Sequence, residues 1–447
     1  MPTILGKRAI IIGAGIGGLA SAGAVAPYFD TVLVLERDEL PIQPIPRRGA
    51  PQSTQLHVVL AGGMQALCDL FPGFDNDLLC AGSTQIEMSD LSVEFPQVDP
   101  LPRRDLPGLH VFGMTRPLLE FTLRNRVLAL QNVEIRDRCS VVEINPSLEG
   151  AATGVRYERP NGEQQILWAD LVIDAAGLNS LTKPFLQAAG FATPDETTIG
   201  VDISYASAIF ELPPGVTNWK AVVTLPEAPA ESTTGMVFRI DNDRWMTLIA
   251  KIHSKDAPRD WDEMLAAARS LRTHSLYDII RHARHPERIL RFGFPESIRR
   301  HYERLERFPR GLLPIGDAIC RFNPVYGQGM TVAAQEALIL NQILAGRVGT
   351  TDSLSGLAET FFHRAEPKIS AAWAMGTGAD FAYEQTTGVR PPDLEKGMQM
   401  NLAIRRLAVK DAEVHRRLIA AFHLVIPLEQ LYEPELMKRA EPYLSAA

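Results

Sequence analysis

Cysteine is scarce in this sequence: four residues in 447, Cys68, Cys80, Cys139 and Cys320. They stand far apart and form no CxxC pair or Cys/His cluster, which argues against a disulfide framework or a zinc site and points to reduced thiols in a cytoplasmic protein. Basic charge is short as well. Against 53 acidic residues, 45 Lys and Arg leave a net charge of -8, and they are scattered, so the chain carries no footprint for a nucleic-acid backbone. Long apolar runs are missing: none approaches the ~18 residues of a membrane span, and residues 1–5 are too few for the apolar core of a signal segment. No internal repeat, low-complexity tract or long linker is visible. What remains, 46% hydrophobic and 22% charged residues, is ordinary globular composition, and the length suits two or three domains around a large core.

The strongest local signal lies near the start. Residues 7–12 read as a basic residue followed by a β-branched strand, and GAGIGG at 13–18 then opens an Ala- and Gly-rich helix. In a GxGxxG so placed, Gly13 permits the tight turn, Gly15 lets backbone approach a pyrophosphate, and Gly18 lets the helix pack on its strand. A second strand, residues 31–35, ends in Glu36. That acid lies about 20 residues on, where a carboxylate would accept both hydroxyls of an adenosine ribose and repel a 2′-phosphate. Strand, glycines, helix, strand and acid together indicate dinucleotide binding; the glycines alone would read as a structural βαβ unit.

A similar order recurs in GLLPIGDAICRFNPVYGQGMTVAAQEA at 311–337. Residues 312–315 suit a short buried strand, Gly316-Asp317 interrupt it, and Pro324, Gly327 and Gly329 mark a turn before an apolar run of helical composition. A helix entered through Gly327-Gln328-Gly329 presents unpaired N–H groups and a positive dipole end, with no side chain to hold a ligand off. Asp317 could accept a hydrogen bond from a ligand hydroxyl. Taken alone, the Gly-Asp pair reads as a βα turn with an acidic cap.

Between the two blocks, residues 132–144 alternate like sheet, 154–157 and 165–168 suit a hairpin around Asn161-Gly162, and DLVID at 170–174 is another strand, leading into AAGLNS. Residues 205–210, 221–225, 234–240 and 245–252 read as consecutive strands of an antiparallel sheet inserted into the first domain. Residues 260–272 are helical in pattern, and RRHYER at 299–304 reads as a solvated hairpin. From residue 353 the pattern is helical, with apolar spacing at 402–409 and 414–425 and breaks at Pro427, Pro434 and Pro442. This suits a cap over a substrate entrance; an amphipathic membrane-surface helix is the sharper alternative for the tail.

The GAGIGG and 311–337 blocks together resemble the flavoprotein monooxygenase family, the fold of aromatic hydroxylases and squalene epoxidase. PQSTQLHVVLAGG at 51–63, with FPG after it, is similar to a bacterial subgroup that includes polyene epoxidases, with Gln55 and His57 where that subgroup has HxH. The resemblance implies FAD rather than NAD and an α/β fold: a Rossmann-like FAD-binding domain of glutathione-reductase type, an inserted antiparallel β-sheet substrate domain and a helical C-terminal region. In residues, 1–75, 105–190 and 296–350 would bind FAD, 76–104 and 191–295 would hold substrate, and 351–447 would cap it. By the same resemblance Gly13, Gly15, Ile16, Gly17, Gly18, Glu36 and Arg37 take the adenosine and pyrophosphate end, and Arg48 neutralises phosphate charge. His57 and Arg116 lie along the flavin, Gly177 belongs to a third motif, and Asp317, Pro324, Gly327, Gly329 and Met330 hold the ribityl chain and ring. Read without the family, His57 is a satisfied histidine on a helix and Arg116 a surface charge. The third motif normally has an Asp-Gly pair with Ser and Arg behind it; here Ala176 replaces the acid and the trailing basic position is at best Lys183, while Gly177 and Ser180 survive. Direct reduction by NAD(P)H therefore stands beside reduction through a separate flavin reductase.

The implied activity is that of a flavin-dependent monooxygenase, inserting one oxygen atom of O2 into a hydrophobic small molecule of secondary metabolism through a flavin C4a-hydroperoxide in a dry pocket. No catalytic side chain can be assigned. The absence of an evident base leans towards epoxidation over phenol hydroxylation, and Tyr205, Arg244 and His253 are strand polar residues of a kind more often found at surfaces and turns. An FAD dehydrogenase, reductase or oxidase, or a non-redox FAD-holding isomerase, cyclase or binding protein, would use the same scaffold. A flavin halogenase finds no WxWxIP segment to support it.

Overall fold

The computed structural model describes residues 4–444. A five-stranded sheet runs in the order Leu312–Pro314, Leu171–Asp174, Gly6–Ile12, Phe29–Leu35 and Val133–Arg136, with every neighbouring pair parallel. A parallel sheet is covered on both faces, so its strands are unbroken runs of Ile, Val and Leu, and Ile10, Ile11, Val34, Val172 and Leu313 are sealed from solvent. The helix Ile16–Val25 carries no charge and buries nine of its ten residues. A helix apolar on all sides must be covered on all sides; this one packs against the sheet and the long helix Gly329–Gly346. Small residues let these layers approach: a Cβ on Gly63 would fall 2.6 Å from Thr331 Cα, so helices Ala61–Leu70 and Gly329–Gly346 meet backbone to backbone.

A seven-stranded sheet faces this layer in the order Cys320–Arg321, Leu290–Arg300, Glu196–Phe210, Trp245–Lys251, Thr233–Arg239, Ala221–Thr224 and Leu91–Glu94. All its pairs are antiparallel except the last. The four strands read between 205 and 252 are all present, and the first is longer than its alternation showed, because it continues back to Glu196 past a bulge at Gly200–Ile203. Leu290–Arg300 and Cys320–Arg321 carry the sheet beyond residue 295 and join it to the 311–337 block. The hairpin around Asn161-Gly162 pairs Ala152–Glu158 with Gln164–Trp168.

The C-terminal region is helical: Leu357–Asp380, Leu394–Lys410, Ala412–Phe422 and Pro434–Ala440. Its apolar stripe is buried inside the protein. Ile404, Leu407, Val414 and Leu418 pack with Leu431 and Leu436, while Ile419 joins Ile86, Phe238 and Met246 beneath the seven-stranded sheet. No described helix is long and apolar enough to cross a membrane.

Two local readings need correction. RRHYER is no solvated hairpin: Arg299, His301 and Tyr302 are 7%, 5% and 1% exposed. Arg299 donates to Ser370 Oγ at 2.9 Å and to Glu303 at 3.0 Å, His301 Nε2 lies 2.8 Å from Thr197 Oγ1, and Tyr302 stacks on Phe362. Most of these partners lie far off in sequence, so the charges looked free when read alone. Residues 56–60 belong to no regular element, with the helix beginning at Ala61; His57 precedes the helix and does not sit on it.

Candidate active site

Open α/β sheets bind ligands at the carboxyl ends of their strands, and four adjacent ends here carry the predicted residues. Gly6–Ile12 runs into Gly13, Phe29–Leu35 into Glu36, Leu171–Asp174 towards Gly177, and Leu312–Pro314 towards Asp317. Gly13 has φ +98°, and a Cβ there would press 2.9 Å from Ala175 O. Gly15 has nothing within 4 Å of where its Cβ would be, so its backbone faces open space. A Cβ on Gly18 would lie 1.9 Å from Gly13 O; this glycine is a packing contact behind the turn and does not line the cavity. A Cβ on Gly17 would be 3.5 Å from Ala333 Cβ, so the two sequence blocks touch.

Together these ends open into one cavity of about 1380 Å³, larger than the roughly 300–1,000 Å³ of ordinary small-molecule sites. Gly13, Gly15, Ile16, Gly17, Glu36, Arg37, His57, Arg116, Gly177, Asp317, Pro324, Gly327, Gly329 and Met330 all line it. Arg48 does not: it is exposed and outside the cavity, and Arg47 takes the inward position. Three carboxylates fix that choice, with Arg47 at 3.4 Å from Glu36, 2.8 Å from Asp38 and 2.6 Å from Glu120. Of the polar strand residues, Tyr205 lines the cavity, whereas Arg244 is paired with Asp241 at 2.5 Å and His253 with Thr386 Oγ1 at 2.9 Å, both away from it.

Glu36 is buried, with Oε2 accepting from Ala14 N at 2.8 Å and Oε1 from Asp38 N at 3.0 Å. These bonds hold its carboxylate beside the first glycine turn. Arg116 opens the helix Arg116–Leu128 and is buried, its Nη1 3.2 Å from Met330 Sδ and its Nη2 3.7 Å from Glu120. Asp317 presents its surface to the cavity while protein encloses it, and that enclosure pushes its carboxyl pKa up against the opposing pull of Arg321, Arg116 and Arg300. At the second block Gly327 takes φ +68° and Asn323 Oδ1 accepts from Val325 N at 3.0 Å. The turn delivers the chain to the helix Gly329–Gly346, whose first N–H groups have no intrahelical acceptor.

Two histidines on the wall hold opposite tautomers. His57 Nδ1 donates to Gln55 O at 2.9 Å, leaving Nε2 an acceptor; His423 Nδ1 accepts from Ala61 N at 3.2 Å, so its Nε2 carries the proton. Burial lowers both to about 4, helped at His57 by Arg116, and both rings are neutral near pH 7. Tyr326, beside the glycine turn, donates to Asp380 Oδ1 at 3.0 Å, and Asn323 Nδ2 donates to the same atom at 2.8 Å. Burial raises Asp380 to about 6 against these two bonds.

The third motif is held from inside the fold. Asp174 is fully buried and accepts from Ala176 N, Ser180 Oγ, Leu181 N, and both the N and Oγ1 of Thr182, at 2.7 to 3.2 Å. It therefore fixes the loop bearing Gly177 without an acid at Ala176. Lys183 is committed to Glu196 at 3.0 Å. Sequence reading passed over Asp174, Arg47, Asp380 and His423. A strand ending in Asp was the available signal for the first and adjacency to Arg48 for the second; the two helical-region residues gave none.

Beyond the strand ends the cavity continues between Val93, Val223, Met236, Leu248, Phe292 and Phe294 of the seven-stranded sheet and Met375, Leu402 and Phe422 of the C-terminal helices. The residues suit a flavin dinucleotide. Glycine backbone is open at Gly15 and Gly329, the Glu36 carboxylate lines the cavity beside the first glycine turn, and two buried polar atoms of the wall, Arg116 Nε and Gln328 Oε1, have no hydrogen-bond partner among the described residues. Fold and site thus define a dinucleotide-binding α/β protein with a second, apolar chamber. The chain belongs to the FAD binding domain family, whose profile matches residues 7–365, and FAD is its cofactor. It is 32% identical over 399 residues to protein Rv3254 of Mycobacterium tuberculosis (strain ATCC 25618 / H37Rv), covering 85% of this chain and 81% of that one. Among solved structures, p-nitrophenol 4-monooxygenase PnpA from Pseudomonas putida DLL-E4 superposes with a TM-score of 0.67 at 17% identity, over 96% of this chain and 100% of that one. The Diels-Alderase PyrE3 of pyrroindomycin biosynthesis gives 0.60 at 20% identity, over 94% and 81%.

Proposed function

We propose that the protein is an FAD-dependent monooxygenase that transfers one oxygen atom of O2 to a hydrophobic small molecule, by epoxidation or hydroxylation. The observation that carries this reading is the single cavity that joins a dinucleotide cradle to an apolar chamber. In this reading residues 1–75, 105–190 and 296–350 hold FAD, 76–104 and 191–295 hold substrate, and 351–447 close the entrance. Reduced FAD supplies the electrons that activate oxygen.

The chain's residues do the rest. Glu36 accepts the adenosine ribose hydroxyls, the N–H groups after Gly15 meet the pyrophosphate, and Asp317 accepts from the ribityl chain. The first turn of Gly329–Gly346 and the adjoining Arg116 place positive potential where negative charge develops on the ring. Pro324 and Tyr326 wall the ring's edge, and Asp380 holds Tyr326's hydroxyl as an acceptor, with its own proton leaving near pH 6. The apolar roof and cap exclude water, the condition under which an oxygen atom is transferred and not lost as hydrogen peroxide. With Lys183 engaged and no acid at Ala176, reduction by a separate flavin reductase stands beside direct reduction by NAD(P)H.

The test is to mix reduced, FAD-loaded protein with isotopically labelled O2 and a panel of polyenes, terpenoids and phenols. One labelled oxygen atom in a product, with peroxide release falling as that product appears, is expected. Return of all the oxygen as hydrogen peroxide with every compound, or turnover without oxygen, would contradict the proposal.

A further inference from the structure

Arg405, on the helix Leu394–Lys410, lines the cavity at its cap end, far in sequence from both cofactor blocks. Its guanidinium lies 4.5 Å from the centre of the Phe95 ring, and Leu402, Leu428 and Leu431 share the wall. Three other enclosed arginines are matched: Arg47 by three carboxylates, Arg116 by Glu120, Arg299 by Glu303 and Ser370. The neighbouring Arg406 donates to Gln97 O and Tyr443 O. Among the described residues Arg405 has no hydrogen-bond acceptor and no ion-pair partner. Burial works against its charged form. An enclosed cation without an anion is costly, and the space beside this one is the open cavity.

Building on the monooxygenase reading, we infer that the substrate is an amphipathic acid whose carboxylate is bound by Arg405, its apolar body running along the chamber towards the flavin-facing helix. The planar, forked donors of a guanidinium match a carboxylate in two parallel hydrogen bonds. One cation suits one negative charge. A dianionic phosphate would call for a second, and of the other wall arginines without an ion pair, Arg321 has its charge opposed by Asp317 in the cofactor cradle and Arg37 is exposed, next to Glu36 at the first strand ends. With the acid fixed at the cap, the distance from carboxylate to ring selects which carbon is oxidised.

The test measures binding to the oxidised, FAD-loaded protein by titration calorimetry, using dodecanoate and cinnamate, each against its methyl ester. An acid should bind roughly tenfold to a hundredfold more tightly than its ester, the range of a charge-assisted hydrogen bond. Arg405→Leu should abolish that preference and leave ester affinity and flavin content unchanged. Arg405→Lys, which keeps the charge without the fork, should retain part of it and guards against a folding defect in the first variant. Equal affinities, failure of both acids to bind, or a preference that survives in Arg405→Leu would overturn the inference. Because the readout needs neither reductant nor oxygen, an Arg405-dependent acid preference in a protein that never oxygenates anything would uphold the anchor and bring down only the monooxygenase reading.

Discussion

Gly18 and Gly329 look alike in sequence and differ in consequence. A side chain at Gly18 meets Gly13 O at 1.9 Å, whereas at Gly329 the nearest atom is Asp317 Oδ1 at 3.8 Å. Gly18→Val should therefore destabilise the apoprotein by about 3 kcal/mol or more. Gly329→Val should leave apoprotein stability within about 0.5 kcal/mol while weakening FAD binding at least roughly tenfold, since its branched side chain enters the cradle. Urea unfolding and flavin titration check the two. Glu336 gives a pH signature. Buried, with Oε2 accepting from Gly316 N at 2.6 Å, it is raised from 4.5 to about 8. Between those values the folded chain keeps a proton that the unfolded chain has lost, so its contribution is full below about pH 4.5 and is lost as pH rises through about 8. Glu336→Gln should match the parent at pH 4.5 and exceed it by on the order of 2–4 kcal/mol at pH 9; a constant difference across that range would refute the assignment. Such residues show what sequence carries and what it does not. Gly13 and Gly15 were legible because their task is local backbone geometry. Arg47 was mistaken for Arg48 because the inward choice is made by Glu36, Asp38 and Glu120, the last contributed by a distant helix. Asp380, His423 and Arg405 sit in helical text whose meaning comes only from what faces it.

At the scale of elements, strand ends do the positioning. The loop after Leu171–Asp174 hangs on one carboxylate, so Asp174→Asn, which turns an acceptor towards several donors into a donor, should cost about 2–3 kcal/mol and lower flavin retention. Equilibrium unfolding together with flavin release on dilution tests this, and an unaltered protein would show the loop to be fixed by packing instead. The alternating strands at 205–252 were legible because a half-buried antiparallel strand displays its period. The extension back to Glu196 was hidden by its bulge, and RRHYER misled because charge reads as solvent exposure until the partners are known.

At the scale of the whole molecule, FAD held as proposed would join the sheet, the helix Gly329–Gly346 and the roof, so its binding should stabilise all of them together. At a free FAD concentration a hundredfold above its Kd the gain should be about 2.7 kcal/mol, read as a shift in the urea midpoint that Gly329→Val cuts by about half or more at the same FAD concentration. Architecture at this scale was legible because two motifs at opposite ends of the fold's first 350 residues must share one ligand; the contents of the apolar chamber were not, since its wall is assembled from many stretches scattered between Val93 and Phe422. The most direct measurement is a crystal structure of the protein grown with FAD. It should show one molecule per chain, adenosine ribose on Glu36 and the ring against Gly327, Gly329 and Met330. FAD bound elsewhere, or a nicotinamide nucleotide in that groove in its place, would contradict the account.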